Sequence, residues 1–258
     1  MKKIILLVLL FFVVGWTAGF AAQSRETLTL SAAGLKALRI DCGAGFLKVR
    51  GVDGLEQIEV SAVLDVRGVA EKELVEFKKE FVKLTLQKNM GRAELTAQID
   101  NDFSLATLFS GSPDARIDLD IRVPRRLALA IDDGSGDADI RDIDGPVELE
   151  DGSGSVYMEN IQGAVDVDDG SGDIRLVKIG GLLEIEDGSG DIELNDAGSN
   201  VAIEDGSGRI TLDRVSGSVL LDDGSGDIVI DGVEKDVPID EAGSCGVEIR
   251  NVKGKVKR

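Results

Sequence analysis

The chain has no histidine in 258 residues. Catalytic triads that use an imidazole base, and zinc sites with histidine ligands, are therefore excluded. Cysteine is nearly absent too, with only Cys42 and Cys245. Basic residues are few beside acidic ones, 29 against 48, for a net charge of −19. Most of that excess falls between residues 131 and 241, which leaves no basic footprint for a nucleic acid. The one long apolar run is Ile4 to Val14, too short for a bilayer span of about 20 residues. No linker-bounded second domain is visible.

What is present is a repeat. Asp-Gly-Ser-Gly begins at Asp133, Asp151, Asp169, Asp187, Asp205 and Asp223, every 18 residues. A period this short and regular marks a solenoid, with one coil per repeat. With that Asp as coil position one, apolar residues recur at positions six, eight, eleven, fifteen and seventeen. In the third copy these are Ile174, Leu176, Ile179, Leu183 and Ile185. The pairs at six and eight, and at fifteen and seventeen, alternate as strands with one buried face do. Glycines at positions two and four suit a tight turn, and another glycine recurs at position thirteen in Gly145, Gly163, Gly181 and Gly217.

One coil cannot fold alone. Five buried apolar side chains contribute roughly 1.5–3 kcal/mol each, while ordering 18 backbones costs about 1–2 kcal/mol each. Only stacking makes the sum favourable. The predicted fold is all-β: a single-chain parallel β-solenoid with 18-residue coils, behind an irregular β-rich region with one short helix. A left-handed hexapeptide helix is ruled out, because position eighteen is acidic in every copy. A calcium β-roll has a glycine-rich nonapeptide at both turns, whereas only one turn per coil is of that kind here.

Taken in order, residues 1–22 read as an export signal: Lys2 and Lys3, an apolar run, and a small-x-small site that places the cut near Ala21 or Ala22. Residues 25–131 form the irregular β-rich part. Within it, Asp41-Cys42-Gly43-Ala44-Gly45 echoes a degenerate coil turn. A helix is predicted over 71–81, with Leu74, Phe77 and Phe81 on one face covering exposed core. A hairpin follows, with Phe81–Gln87 and Ala93–Ile99 joined around Asn89-Met90-Gly91 by a loop longer than the tightest type. Phe103–Gly111 is an apolar loop. Residues 132–258 form the regular solenoid, ending in a degenerate coil after Glu241 and a lysine-rich tail that would blunt an open sheet edge. Seven coils span roughly 34 Å at about 4.8 Å each. That distance keeps Cys42 and Cys245 from bridging within one chain.

Three acidic columns flank the glycine turn, at positions eighteen, one and five. The position-one column is Asp133, Asp151, Asp169, Asp187, Asp205 and Asp223. Two readings of it stand open. Each Asp could accept its own turn's N–H groups, or adjacent coils could pool oxygens toward the six to eight that Ca²⁺ takes. Paired carboxylates can also hydrolyse a glycoside. Such a pair is a single local constellation, however, and these acids recur in every coil. No other cofactor is expected. Tyr157, Arg175 and Arg209 depart from the repeat without an evident common site.

The Gly-x-Gly turn, short strand, second glycine and next strand, behind a signal and an irregular N-terminal half, resemble the bacterial putative adhesin family over about residues 28–250. The resemblance implies an exported or envelope-associated β-solenoid with no established biochemical activity and no catalytic residues to carry over. The chain departs from the family's usual turn by placing an acid before the first glycine of every full coil. The expectation is a non-enzymatic protein of the periplasm or cell surface with a structural or adhesive role. It would bind an unidentified envelope or surface ligand, and it would have no membrane span once the signal is cut. A Ca²⁺-dependent binding module is the alternative, and a polysaccharide-active enzyme a remote one.

Overall fold

The structure, a computed structural model, describes residues 21–100, 114–242 and 246–257. The segment read as an export signal lies outside these residues except for Ala21 and Ala22, which open the first strand. The apolar loop at 103–111 and Cys245 also lie outside them.

The N-terminal half contains β1 (Ala21–Ser31), β2 (Ala37–Ala44), β3 (Leu47–Val52), β4 (Gln57–Arg67), α1 (Leu74–Phe81), β5 (Val82–Asn89), β6 (Arg92–Ile99) and β7 (Asp114–Pro124). The repeats then supply two strands per coil. They are β8 (Ala128–Ser135) and β9 (Ala138–Ile143), β10 (Val147–Asp151) and β11 (Val156–Ile161), β12 (Val165–Asp169) and β13 (Ile174–Ile179), β14 (Leu183–Asp187) and β15 (Ile192–Ala197). They continue with β16 (Val201–Asp205) and β17 (Ile210–Val215), β18 (Val219–Asp223) and β19 (Ile228–Val233), then β20 (Val237–Ala242), β21 (Val247–Val252) and β22 (Val256–Lys257).

These strands build two 11-stranded sheets. One runs β1-β4-β7-β3-β9 and on through the odd strands to β21. The other runs from β22 back through the even strands to β8-β2-β6-β5. Within the repeat every neighbour is parallel, and every pair up to β18 is in register, as in Val147↔Val165 and Leu149↔Val167, so the all-β parallel solenoid read from the sequence is the fold. Positions six, eight and eleven of one sheet meet fifteen and seventeen of the other in a continuous core, where Leu176, Leu183 and Ile228 have no exposed surface. The extra residue in the last turn appears as a register shift between Leu221 and Asp222.

The stack extends below the first full repeat. Leu38, Ile40 and Cys42 of β2 pair with Leu129, Ile131 and Asp133 of β8, and Val49 of β3 pairs with Ile140 of β9. Asp41-Cys42-Gly43-Ala44-Gly45 is thus a true coil turn. Beyond it, β6 pairs with β2 and β7 with β3, both parallel, to form a further layer. Antiparallel β4, β1 and β5 complete the two sheets at that end. Helix α1 follows a short 3₁₀ turn at Glu71–Glu73. It buries Leu74, Phe77 and Phe81 as its spacing predicts, with the two phenyl rings 5.2 Å apart.

The hairpin differs from its prediction. Asn89 pairs with Arg92, so the loop is only Met90-Gly91, with φ of 45° and 85°. This is the tightest hairpin type, which needs left-handed backbone at both central residues. Met90 accepts that conformation in the place where Asn is usual, and its side chain is fully exposed.

Two backbone features make the coil 18 residues long. At position four the glycine has φ near +150° in the central coils, as at Gly190. A Cβ there would meet the Gly172 carbonyl oxygen at 1.7 Å. At position ten the chain turns left-handed without requiring glycine. Asp142, Asn160, Lys178, Asp196 and Arg214 have φ between 57° and 64°. That residue is what allows positions eight and eleven both to point inward. Asn and Asp tolerate the left-handed region best among residues with a side chain, and Asn160 Nδ2 also donates to Asp142 Oδ1 of the coil before at 2.6 Å.

Candidate functional site

The acidic columns do three different things. Position one ends the inward face of each even strand, because the alternation that buries fifteen and seventeen buries the next odd residue as well. All six position-one aspartates are therefore buried, none more than 6% exposed. Their register is continuous: Asp133 beside Asp151, Asp151 beside Asp169, and on to Asp223. In five of them Oδ1 accepts the N–H of the serine two residues on. The distances are 3.2 Å for Ser153 to Asp151, 3.0 Å for Ser171 to Asp169 and for Ser189 to Asp187, 2.9 Å for Ser207 to Asp205, and 3.0 Å for Ser225 to Asp223. This is the Asx turn that the sequence admitted.

Position five works between coils. Asp137 Oδ1 accepts the Ser155 N–H at 3.0 Å, Asp173 the Asp191 N–H at 3.1 Å, and Asp191 the Arg209 N–H at 2.9 Å. Each of these carboxylates fixes the start of the next coil's odd strand. Position eighteen points outward with position sixteen. Glu148, Asp166 and Glu184 form one exposed column, and Glu150, Asp168, Glu186, Glu204 and Asp222 the next. Among the described residues none of these eight pairs with a Lys or Arg; the one ion pair at position eighteen is Arg39 to Asp132 at 3.7 Å, at the stack's N-terminal end. The outer face of the even sheet is thus a flat, unneutralised acidic surface. Beside the turn it forms a groove of about 520 Å³ that runs from Asp168 to Asp222.

The outer face of the odd sheet is the opposite case. Asp139 is clamped by Arg50 and Arg141, with Arg50 Nη2 at 3.0 Å and Arg141 Nε at 2.6 Å, and together they hold its pKa below the ordinary carboxylate value despite partial burial. The Arg141 guanidinium lies 4.4 Å from the centre of the Tyr157 ring. Tyr157 donates to Glu159 at 3.1 Å, and Arg175 pairs with Glu193 at 2.7 Å. Tyr157 and Arg175 are register neighbours, so two of the residues that seemed isolated in sequence belong to one paired network. Arg209 reaches Asp227 of the next coil instead, at 3.6 Å. Every arginine of this network is matched by an acid, as in a surface that ties coil to coil.

The candidate metal residues Asp133, Asp151, Asp169, Asp187, Asp205 and Asp223 therefore form a buried column of turn-forming acids. Among the described residues no group of three or more His, Cys, Asp or Glu side chains is arranged to hold a metal ion. Their burial escaped the sequence reading, although the period-two alternation leading into position one carried the signal. Burial, and then the neighbouring carboxylates, push Asp133 up to about 7. Burial chiefly pushes Asp151, Asp187 and Asp205 up to about 6 and raises Asp169 as well. No helix of the described residues is long and apolar enough to cross a membrane.

This architecture defines the chain as a parallel β-solenoid closed at its N-terminal end by antiparallel strands and a short helix. No family model and no curated protein matches it. Among solved structures it is similar to a putative adhesin from Bacteroides fragilis, at 12% identity and TM-score 0.48, over 90% of this chain and 96% of that one. It is also similar to a putative cell adhesion protein from Clostridium sporogenes, at 13% identity and TM-score 0.37, over 91% and 97%. A third is a putative lipid binding protein from Parabacteroides distasonis, at 12% identity and TM-score 0.27, over 91% and 97%. None of the site geometry depends on these likenesses.

Proposed function

We propose that this protein is an exported, non-enzymatic β-solenoid that acts at the cell envelope or surface, where its flat acidic face binds a partner along its length. One observation carries this reading: the unneutralised columns on the even sheet repeat at every coil from Glu148 to Asp222, while the odd face has its charges paired. A charge that recurs coil after coil suits contact with an extended surface. Catalysis needs one constellation that differs from its surroundings, and the outward acids offer none.

The test has two arms. A fusion of residues 1–30 to a reporter that folds only outside the cytoplasm measures export, and an inactive reporter overturns that part. Attachment is then compared between cells displaying the chain and cells displaying a variant with Glu150, Asp168, Glu186 and Glu204 changed to Gln. Equal attachment by both, over a range of salt concentration, overturns the assignment of the acidic face.

A further inference from the structure

The position-one aspartates make a single file of carboxyl groups inside the protein. Adjacent strands stand about 4.8 Å apart, so each carboxyl has another one coil above or below it. One oxygen of each is used by the Asx turn from Asp151 onward. The other oxygen, Oδ2, of Asp151, Asp169, Asp187 and Asp205 is buried and meets no hydrogen-bond donor of the protein.

A file of ionised carboxylates cannot rest in that setting. Each charge would lack both water and a counter-charge, with a like charge as its neighbour. A metal ion does not resolve this, because Ca²⁺ takes six to eight oxygens and the turns leave little space between coils: a Cβ on Gly188 would meet the Gly170 oxygen at 2.5 Å. A proton needs no such room.

The groups around the file carry mostly negative charge. Asp132 and Asp168 precede it on its own strands, and Asp137, Asp173 and Asp191 follow it across the turn. The nearby cations are committed elsewhere, Arg39 to Asp132 and Arg209 to Asp227. The facing odd strands offer apolar side chains such as Ile174 and Ile192. At its N-terminal end the file stops at the buried thiol of Cys42.

We propose that the position-one column is a proton-holding ladder. Buried carboxyls along it take a proton from solvent, become neutral acids and donate through Oδ2 to the carboxyl of an adjacent coil. The solenoid therefore binds protons as it folds and is strengthened by mild acid. The sign follows from the raised pKa values. An aspartate whose folded pKa lies above the ordinary value of about 3.9 contributes its full stability below that value. It loses the contribution as pH rises through about 6 to 7, and the dependence flattens above.

The experiment measures protons released on unfolding at pH 6, and melting temperature between pH 8 and pH 5 in 1 M NaCl, where repulsion among the exposed acids is screened. The mature chain is compared with a variant carrying Asp169→Asn, Asp187→Asn and Asp205→Asn, since Asn keeps the Asx turn. The ladder requires the wild type to release roughly two to four protons and to melt several degrees higher at pH 5, and the variant, which keeps Asp133 and Asp151, to lose roughly half of both. A wild type that releases no protons at pH 6, or whose melting temperature is flat or falls toward pH 5 in high salt, overturns the proposal. So does a gain at pH 8 from millimolar CaCl₂ that equals the gain from acid, because the column would then hold cations. If the triple variant does not fold, the wild-type measurements decide alone, and Asp187→Asn should release about half a proton fewer at pH 6.

Discussion

Cys42 stands in register with Asp133, as the position-one residue of the coil that precedes the regular array. The thiol is 5% exposed. Burial chiefly, and then the charge of Asp133, push its pKa well above the ordinary thiol value. A neutral thiol therefore ends the carboxyl file. Cys42→Asp would add a seventh carboxyl to the column with no relief of charge. The variant should lose about 1–3 kcal/mol at pH 8, and less at pH 5, where the added acid can be protonated. Denaturant melts at the two pH values check this, and an equal loss at both would show that Cys42 is not part of the column.

The same burial makes a reactivity prediction. The thiolate is the reactive form, so folded Cys42 should resist alkylation. In a Cys245→Ser background, iodoacetamide labelling at pH 8 should be at least about 100-fold slower than in denaturant. Rapid labelling of the folded chain would show that the first coil opens.

The register of the core is tested by neighbours. Leu183 has no exposed surface, while Glu184 points into the acidic outer face. Leu183→Asp buries an unpaired charge and should cost about 3–5 kcal/mol. Glu184→Lys should change stability by no more than about 0.5 kcal/mol. Urea midpoints that move together for the two variants would contradict the assigned faces.

Much of this was legible in the residues. The 18-residue period gave the coil, and alternation gave the inward positions, because backbone geometry ties side-chain direction to sequence parity. The helix was legible because Leu74, Phe77 and Phe81 repeat at helical spacing. Four features were not read. The left-handed residue at position ten leaves only a weak trace, since Lys178 and Arg214 occupy it alongside Asn and Asp. The burial of position one was missed because an Asx turn, which the sequence did admit, forms as readily on the surface. The turn at 41–45 was legible as a coil turn, but not the layer it stacks on: the pairing of residues 37–50 with residues 128–141 is a long-range contact across strands β4 to β7. The pairing of Tyr157 with Arg141 and Glu159 also arises only once the coils stack.

Helix α1 tests whether the antiparallel end needs its cover. Phe77 is fully buried and stacks near Phe81, and Lys78 reaches Ser24 Oγ of β1 at 3.1 Å. Changing Leu74, Phe77 and Phe81 to Ser should cost more than about 3 kcal/mol, the usual loss for one buried Phe truncated to Ala. It should also raise the binding of an apolar-surface dye. Unchanged dye binding with an unchanged melting temperature would mean that the helix covers nothing.

The last prediction separates the coil's steric demand from glycine's flexibility. Gly190 and Gly54 both have positive φ, 152° and 68°. Alanine at Gly54 meets no atom within 4 Å, whereas at Gly190 its Cβ would lie 1.7 Å from the Gly172 oxygen. Left-handed backbone alone costs a residue with a side chain about 1–2 kcal/mol, so Gly54→Ala should lose about that much. Gly190→Ala must in addition push two coils apart, which breaks ladder hydrogen bonds such as Gly190 N–H to the Ser207 carbonyl at 3.1 Å. The loss there should exceed about 3 kcal/mol, in the range reserved for backbone and packing failures. Equal losses at the two sites would show that the turns can spread, and that close stacking of the glycine column does not hold the solenoid together.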